Sequence, residues 1–145
     1  MAIPSHLALE IVTPERSITH EEVDEVEIPG ADGYFGVLPG HTPLLASLQV
    51  GQLWYRRGTN VSYLSVAFGF AEVLPDRVTI LAQVAERAEE IDVDRAIAER
   101  QRAEDELKRR VADVDMERAR ISLLKALTRL QVAERGRGRG RSARV

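Results

Sequence analysis

From His6 to Val84 the chain alternates apolar and polar positions: Leu7, Leu9 and Ile11 alternate with Ala8 and Glu10, and Val23, Val26 and Ile28 are set among acids. A period of two puts one face of an extended segment in a core and the other in water, so these read as half-buried strands. The series continues through residues 52–56, 61–66, 68–74 and 77–84, separated by Arg57-Gly-Thr-Asn and by Pro75-Asp. Short strands at roughly 8–12-residue spacing predict an antiparallel β-sandwich or barrel. Residues 33–48, Gly-Tyr-Phe-Gly-Val-Leu-Pro-Gly-His-Thr-Pro-Leu-Leu-Ala-Ser-Leu, pack two Gly/Pro turns between apolar segments too short for helices, which reads as a turn-rich sheet loop.

After Val84 glycine and proline vanish until Gly136, and alanine, glutamate and arginine take over, a helical composition. Asp92 can cap a first helix whose inward side uses Val93, Ala96, Ile97, Ala103, Leu107 and Val111, with Arg100 interrupting the stripe. Asp113 and Asp115 bracket a break, and a second helix presents Met116, Ala119, Leu123, Leu127 and Leu130. Two such helices joined by a short polar turn form an antiparallel hairpin. The fold class read from the chain is therefore two-part, with a sandwich over residues 1–85, a helical hairpin over 86–135 and a disordered Arg/Gly tail over 136–145. The first helix's stripe is alanine-rich, and methyl-sized contacts at ~25 cal/mol per Å² leave little margin over ordering entropy. Such a hairpin can open or stay docked, and the pattern leaves both readings standing.

Charge follows the same division. The formal net charge is −3, yet residues 1–85 carry 4 basic and 10 acidic residues, residues 86–135 carry 12 and 13, and residues 136–145 carry 4 and none. There is no broad cationic face for nucleic acid. The absence of cysteine excludes disulfides and thiolate chemistry, and no apolar run approaches the roughly 18 residues of a spanning helix. The expectation is a soluble chain that reaches a membrane only through a partner.

The loop at residues 33–45, the later strands Tyr63-Leu-Ser-Val-Ala-Phe-Gly-Phe-Ala-Glu-Val and Val78-Thr-Ile-Leu-Ala, and the junction Ala88-Glu-Glu-Ile-Asp together resemble the epsilon subunit of the bacterial F-type rotary ATP synthase, from about Leu7 to Glu134. The resemblance implies a non-catalytic rotor piece of a proton-translocating complex. It would sit peripherally on the cytoplasmic face of the plasma membrane, with its sandwich against the gamma subunit of the central stalk and the loops of the membrane c-ring. Its hairpin would either fold or extend toward the catalytic alpha/beta head, where it restrains ATP hydrolysis.

The loop around Asp32 to His41 is the part expected against the ring. Family members often carry an acid where this chain has Tyr34. Asp32 and Glu27 are nearby acidic substitutes, and Tyr34 offers packing and a hydroxyl. His41 stands at no recognised catalytic spacing and reads as a structural loop histidine.

Ile91-Asp92 and Arg95-Ala96 match the Ile/Leu-Asp-x-x-Arg-Ala motif by which some bacterial epsilon subunits bind ATP. Asp92 can accept from an adenine amino group or a ribose hydroxyl, and Arg95 can pair with phosphate oxygens. By analogy Glu86, Arg102, Lys125 and Arg129 complete the site, with Lys125 lacking the guanidinium fork that binding members place there. The plain alternative is that Asp92 is only an N-cap and Arg95 only the i+4 partner of Glu99. No cofactor or metal is required, ATP is at most a regulatory ligand, and no phosphate-loop motif supports hydrolysis by this chain. The glycine-alternating tail is read as unable to continue a helix, with attraction to an acidic head surface or anionic lipid as its functional alternative. The rival to the rotor reading is a free-standing nucleotide sensor.

Overall fold

The computed structural model describes residues 2–109 and 113–142; Val111 of the expected first stripe and residues 143–145 of the tail lie outside them. The chain divides into two compact units, Met1–Arg87 and Ala88–Val145. The boundary read after residue 85 moves to Arg87 because the last strand runs that far.

The first unit is a β-sandwich made by one eight-stranded sheet: β1 (Leu7–Val12), β2 (Ser17–Val23), β3 (Glu25–Gly30), β4 (Gly33–Val37), β5 (Leu44–Leu48), β6 (Gly51–Arg57), β7 (Asn60–Leu74) and β8 (Arg77–Arg87). The order is β2-β1-β8-β7-β5-β3-β4, with β6 paired to β3 and β7. Neighbours run antiparallel except β1 and β8, which pair in parallel with Leu9 opposite Val78. The inward positions of the alternation fill the core: Leu7, Leu9, Ile11, Val26, Ile28, Leu53, Leu64 and Ile80 are fully buried.

Two strand expectations change. The runs at residues 61–66 and 68–74 are one strand of 15 residues, whose first half pairs β6 and whose second half pairs β5. The change of partner falls at Phe68 and Gly69, which take φ of 59° and 121°. A Cβ on Gly69 would run into the Leu81 carbonyl oxygen, so only glycine lets β7 turn there without losing β8. Residues 33–48, expected as a loop, contain β4 and β5 and are irregular only over residues 38–43.

The second unit starts with a 3-10 turn at Ala88–Glu90, followed by α1 (Val93–Lys108) and α2 (Asp113–Ser142). The Asp92 side chain accepts from the Arg95 N–H at 3.1 Å and starts α1. Asp113 opens α2 and Asp115 lies inside it, so Asp115 does not bound a break as expected. The buried residues of the pair are Ala96 and Ala103 on α1 and Ala119, Ala126, Thr128, Val132 and Ala133 on α2. Ile97 and Leu127, expected inward, are 42% and 44% exposed. The seven-residue steps 96–103 and 119–126–133 explain the exchange, because small side chains let two helices close on each other while larger ones are displaced to the flanks.

Residues 136–142, expected as part of a disordered tail, are helical: α2 continues through Gly136, Gly138 and Gly140 to Ser142. A Cβ on Gly136 would lie 2.7 Å from the Ala88 Cβ. The first glycine of the tail thus serves close packing inside the helix and does not end it.

Candidate functional site

Two groups of residues merit a chemical reading, one in each unit. On the hairpin, Asp92, Arg95, Glu99 and Arg102 step along α1 at spacings of three and four, so they share a face. Lys125 and Arg129 share a face of α2 for the same reason. Arg95 Nε donates to Glu99 Oε1 at 3.1 Å, and Arg129 Nη1 donates to Glu99 Oε2 at 3.0 Å across the two helices. The Arg95 side chain is 72% exposed and that of Arg129 only 14%. Beside this triad a groove of about 250 Å³ is lined by Glu99, Arg102, Ala103, Glu106, Ser122 and Lys125. Three arginines and one lysine thus gather around two glutamates, with Glu99 holding two of the guanidiniums.

Of the residues expected at a nucleotide, Arg95 and Arg129 meet through Glu99, and Arg102 and Lys125 share the adjoining groove. Ile91 and Ala96 are buried and serve packing. Asp92 spends one carboxylate oxygen on its own helix start. Glu86 stands on β8 opposite Ser65, in the other unit. The Glu99–Arg129 link is what sequence reasoning missed. The Arg95–Glu99 spacing was visible, whereas the partner on α2 is separated by 30 positions and carries no local signal.

On the sandwich, the β3–β4 turn and β5 flank a groove of about 650 Å³ lined by Asp32, Tyr34, Phe35, Leu44, Leu45 and Ser47 among others. The Tyr34 hydroxyl accepts from the Gln52 N–H at 3.1 Å, so its polar end braces β6 while its ring lies at the surface. Asp32 is exposed in the turn. His41 Nδ1 donates to the Thr42 carbonyl oxygen at 2.6 Å, a loop contact with no nucleophile in it. Glu27 is half-buried on β3 opposite Gly36 and Trp54.

The same unit carries an apolar row the alternation did not single out. Phe70 pairs with Leu81 across β7 and β8, and with Ser47 on β5. Leu45 lies two residues from Ser47 on the same face. Leu45, Phe70 and Leu81 are 71%, 54% and 53% exposed. Three large apolar side chains thus stand half or more in water on neighbouring strands.

Elsewhere in the sandwich, Asp24 accepts from the Gly58 N–H at 2.7 Å and faces His6 at 2.9 Å and Arg56 at 3.5 Å. The Gly58 bond first, then the His6 bond, hold its carboxyl below the usual aspartate value against an opposing effect of burial, with the His6 and Arg56 charges adding less. Arg87 donates to the Tyr55 hydroxyl at 3.0 Å and to Thr19 Oγ1 at 2.6 Å, tying β8 to β6 and β2. Among the described residues no cluster of three or more His, Asp or Glu is arranged to hold a metal ion, and no helix is long and apolar enough to cross a membrane.

Comparison with known proteins matches both units. Residues 6–88 match the family described as ATP synthase, Delta/Epsilon chain, beta-sandwich domain, and residues 89–134 its long alpha-helix domain. The chain is 50% identical to ATP synthase epsilon chain 2 of Syntrophotalea carbinolica over 135 residues, covering 92% of this chain and 97% of that one. It is 47% identical to the ATP synthase epsilon chain of Solibacter usitatus over 133 residues, with coverages of 92% and 99%. Among solved structures it resembles a chain of the Euglena gracilis mitochondrial ATP synthase, OSCP/F1/c-ring assembly, with a TM-score of 0.77 at 24% identity over 86% of this chain and 79% of that one. At that identity the likeness speaks for the fold alone.

Proposed function

The chain belongs to the epsilon-subunit family of ATP synthases, and we propose that it works there as a non-catalytic subunit of the rotor, coupling the central stalk to the membrane ring on the cytoplasmic face of a bacterial plasma membrane. The observation that carries this reading is the exposed row Leu45, Phe70 and Leu81. An apolar strip of that kind suits a permanent neighbour in an assembly and is costly on a free-standing sensor. We assign the row to the gamma subunit of the stalk, and the groove beside Asp32 and Tyr34 to the polar loops of the ring, with His41 bracing the loop.

The hairpin is proposed as the regulatory part. An alanine-lined seam buries little area, so a folded and an extended arrangement differ by few kcal/mol and a modest ligand or partner can shift the balance. Extended, the hairpin would reach the catalytic alpha/beta head and oppose ATP hydrolysis. Folded, it would take ATP as a regulatory ligand, with Arg95, Arg102, Lys125 and Arg129 for the phosphates and Asp92 for the adenosine, all within the helical unit. Calorimetric titration of the full chain with ATP, with and without magnesium, tests this. Binding that weakens markedly in Arg95→Ala is expected, and equal affinity in wild type and variant removes Arg95 from the site.

A further inference from the structure

We propose that Glu99 is the resident anion of the hairpin's cationic cluster: its carboxylate stands where a phosphate oxygen of a ligand has to go, and it latches α1 to α2 while no ligand is bound. The proposal rests on the reading of this cluster as a nucleotide site, and it makes Glu99 the residue that sets the concentration at which the site fills.

The geometry assigns the role to Glu99 alone among the acids of this face. Its two oxygens are taken by different arginines, Arg95 at 3.1 Å on its own helix and Arg129 at 3.0 Å on the other. Two guanidiniums converging on two oxygens of one anion is the arrangement these side chains adopt around phosphate. Glu106 lines the neighbouring groove with Arg102 and Lys125, and Asp92 is engaged at the helix start.

The two halves of the contact differ in strength. Arg95 is largely in water, where an ion pair is screened and breaks readily, so it can swing to an incoming ligand at little cost. Arg129 is mostly buried against the hairpin, where its bond to Glu99 is shielded and connects the helices. A ligand must therefore displace Glu99 from Arg129, a bond that adds to the alanine seam in holding the two helices together. A polyphosphate succeeds because it brings several charged oxygens to Arg102 and Lys125 as well, whereas a single carboxylate serves only two arginines.

The consequence follows from competition. A tethered carboxylate acts at a high effective concentration, and affinity falls in proportion to the fraction of chains whose site is free. If the pair is formed about nine-tenths of the time, binding is about tenfold weaker than the arginines alone would give. Removing the charge should tighten binding while loosening the empty hairpin, two effects of opposite sense from one substitution. A residue that merely packs the helices would lower both.

Glu99→Gln in the full chain tests this, with Glu99→Asp, which keeps the charge but shortens its reach, as the second variant. The probes are ATP and inorganic tripolyphosphate by calorimetry, together with amide hydrogen exchange of α1 and α2 without ligand. Glu99→Gln is expected to bind both probes about five- to tenfold more tightly and to exchange faster in both helices. Glu99→Asp should fall between it and wild type. Affinity for both probes at or below the wild-type value overturns the competition, and a gain for ATP without one for tripolyphosphate overturns its electrostatic basis. If neither protein binds either probe while Glu99→Gln exchanges faster, the nucleotide reading fails and the latch stands. If neither binds and exchange is unchanged, both fall.

Discussion

Gly136 of α2 packs against Ala88 of the turn that opens the helical unit, so closely that a methyl group on the glycine would lie 2.7 Å from the alanine Cβ. Two carbon atoms do not approach that closely, so the buried alanine or the helix must shift to admit the methyl. Gly138, one turn-half further on, has nothing within 4 Å of the same added atom. Gly136→Ala should therefore destabilise the hairpin by about 1–2 kcal/mol, the strain exceeding the gain in helix propensity. Gly138→Ala should stabilise it by up to ~1 kcal/mol, since propensity acts there alone. Amide exchange of α2 separates the two, and a shift of the same sign in both would refute the packing account.

The alanine seam gives a second pair of opposed substitutions. Ala103→Leu puts a large side chain between helices that meet on small ones, and overpacking of this sort costs about 1–3 kcal/mol. Leu127→Ala removes a side chain that is 44% exposed and should cost under ~1.5 kcal/mol, at the low end for a leucine. Chemical denaturation followed by helical circular dichroism reads both. A larger loss for Leu127→Ala than for Ala103→Leu would restore the leucine stripe as the interface.

Asp24 predicts the pH behaviour of the sandwich. Its folded pKa lies below that of the unfolded chain, so its contribution to stability is fully present above the unfolded value of ~3.9 and is lost as pH falls through the folded one. Asp24→Asn keeps the shape and removes the titration. The variant should be less stable than wild type near neutral pH, and the difference should shrink as the pH drops below ~4. A difference independent of pH down to the acid transition would show that the carboxylate's charge contributes nothing.

Phe70→Asp or Leu81→Asp should leave the sandwich folded, because both side chains point to water. Each should sharply reduce co-elution with a gamma-type subunit, since charge at the centre of an apolar contact is poorly tolerated. Undiminished co-elution of both variants would move the docking surface elsewhere.

Much of this was legible in the chain. Alternation located the strands, because burial of one face of a sheet leaves a period of two at Leu7, Leu9 and Ile11, and Asp92 marked the start of α1. Other features depend on what meets in space. The change of partner along β7 is set by the meeting of Gly69 with the Leu81 carbonyl, which a one-dimensional pattern cannot carry. The hairpin interface was legible in part: Ala96, Ala103 and Ala119 were expected inward and are buried, whereas Ile97 and Leu127 were placed there for their size and lie at the flank, because helices that pack closely meet on small side chains. Glycine misled in the same way: Gly136 was read as a helix breaker, although its lack of a side chain is what allows the approach to Ala88. The cluster's cations were named through the family resemblance, but the convergence of Arg95 and Arg129 on Glu99 was not foreseen.

The most direct test of the central claim is the rate of ATP hydrolysis by an ATP synthase assembled with either the full chain or residues 1–90. The sandwich has its own core, so the shortened chain should assemble. The account predicts that the complex with residues 1–90 hydrolyses ATP faster than the complex with the full chain. Equal restraint by the two would contradict the regulatory role of the hairpin and leave the chain a structural coupling piece of the stalk.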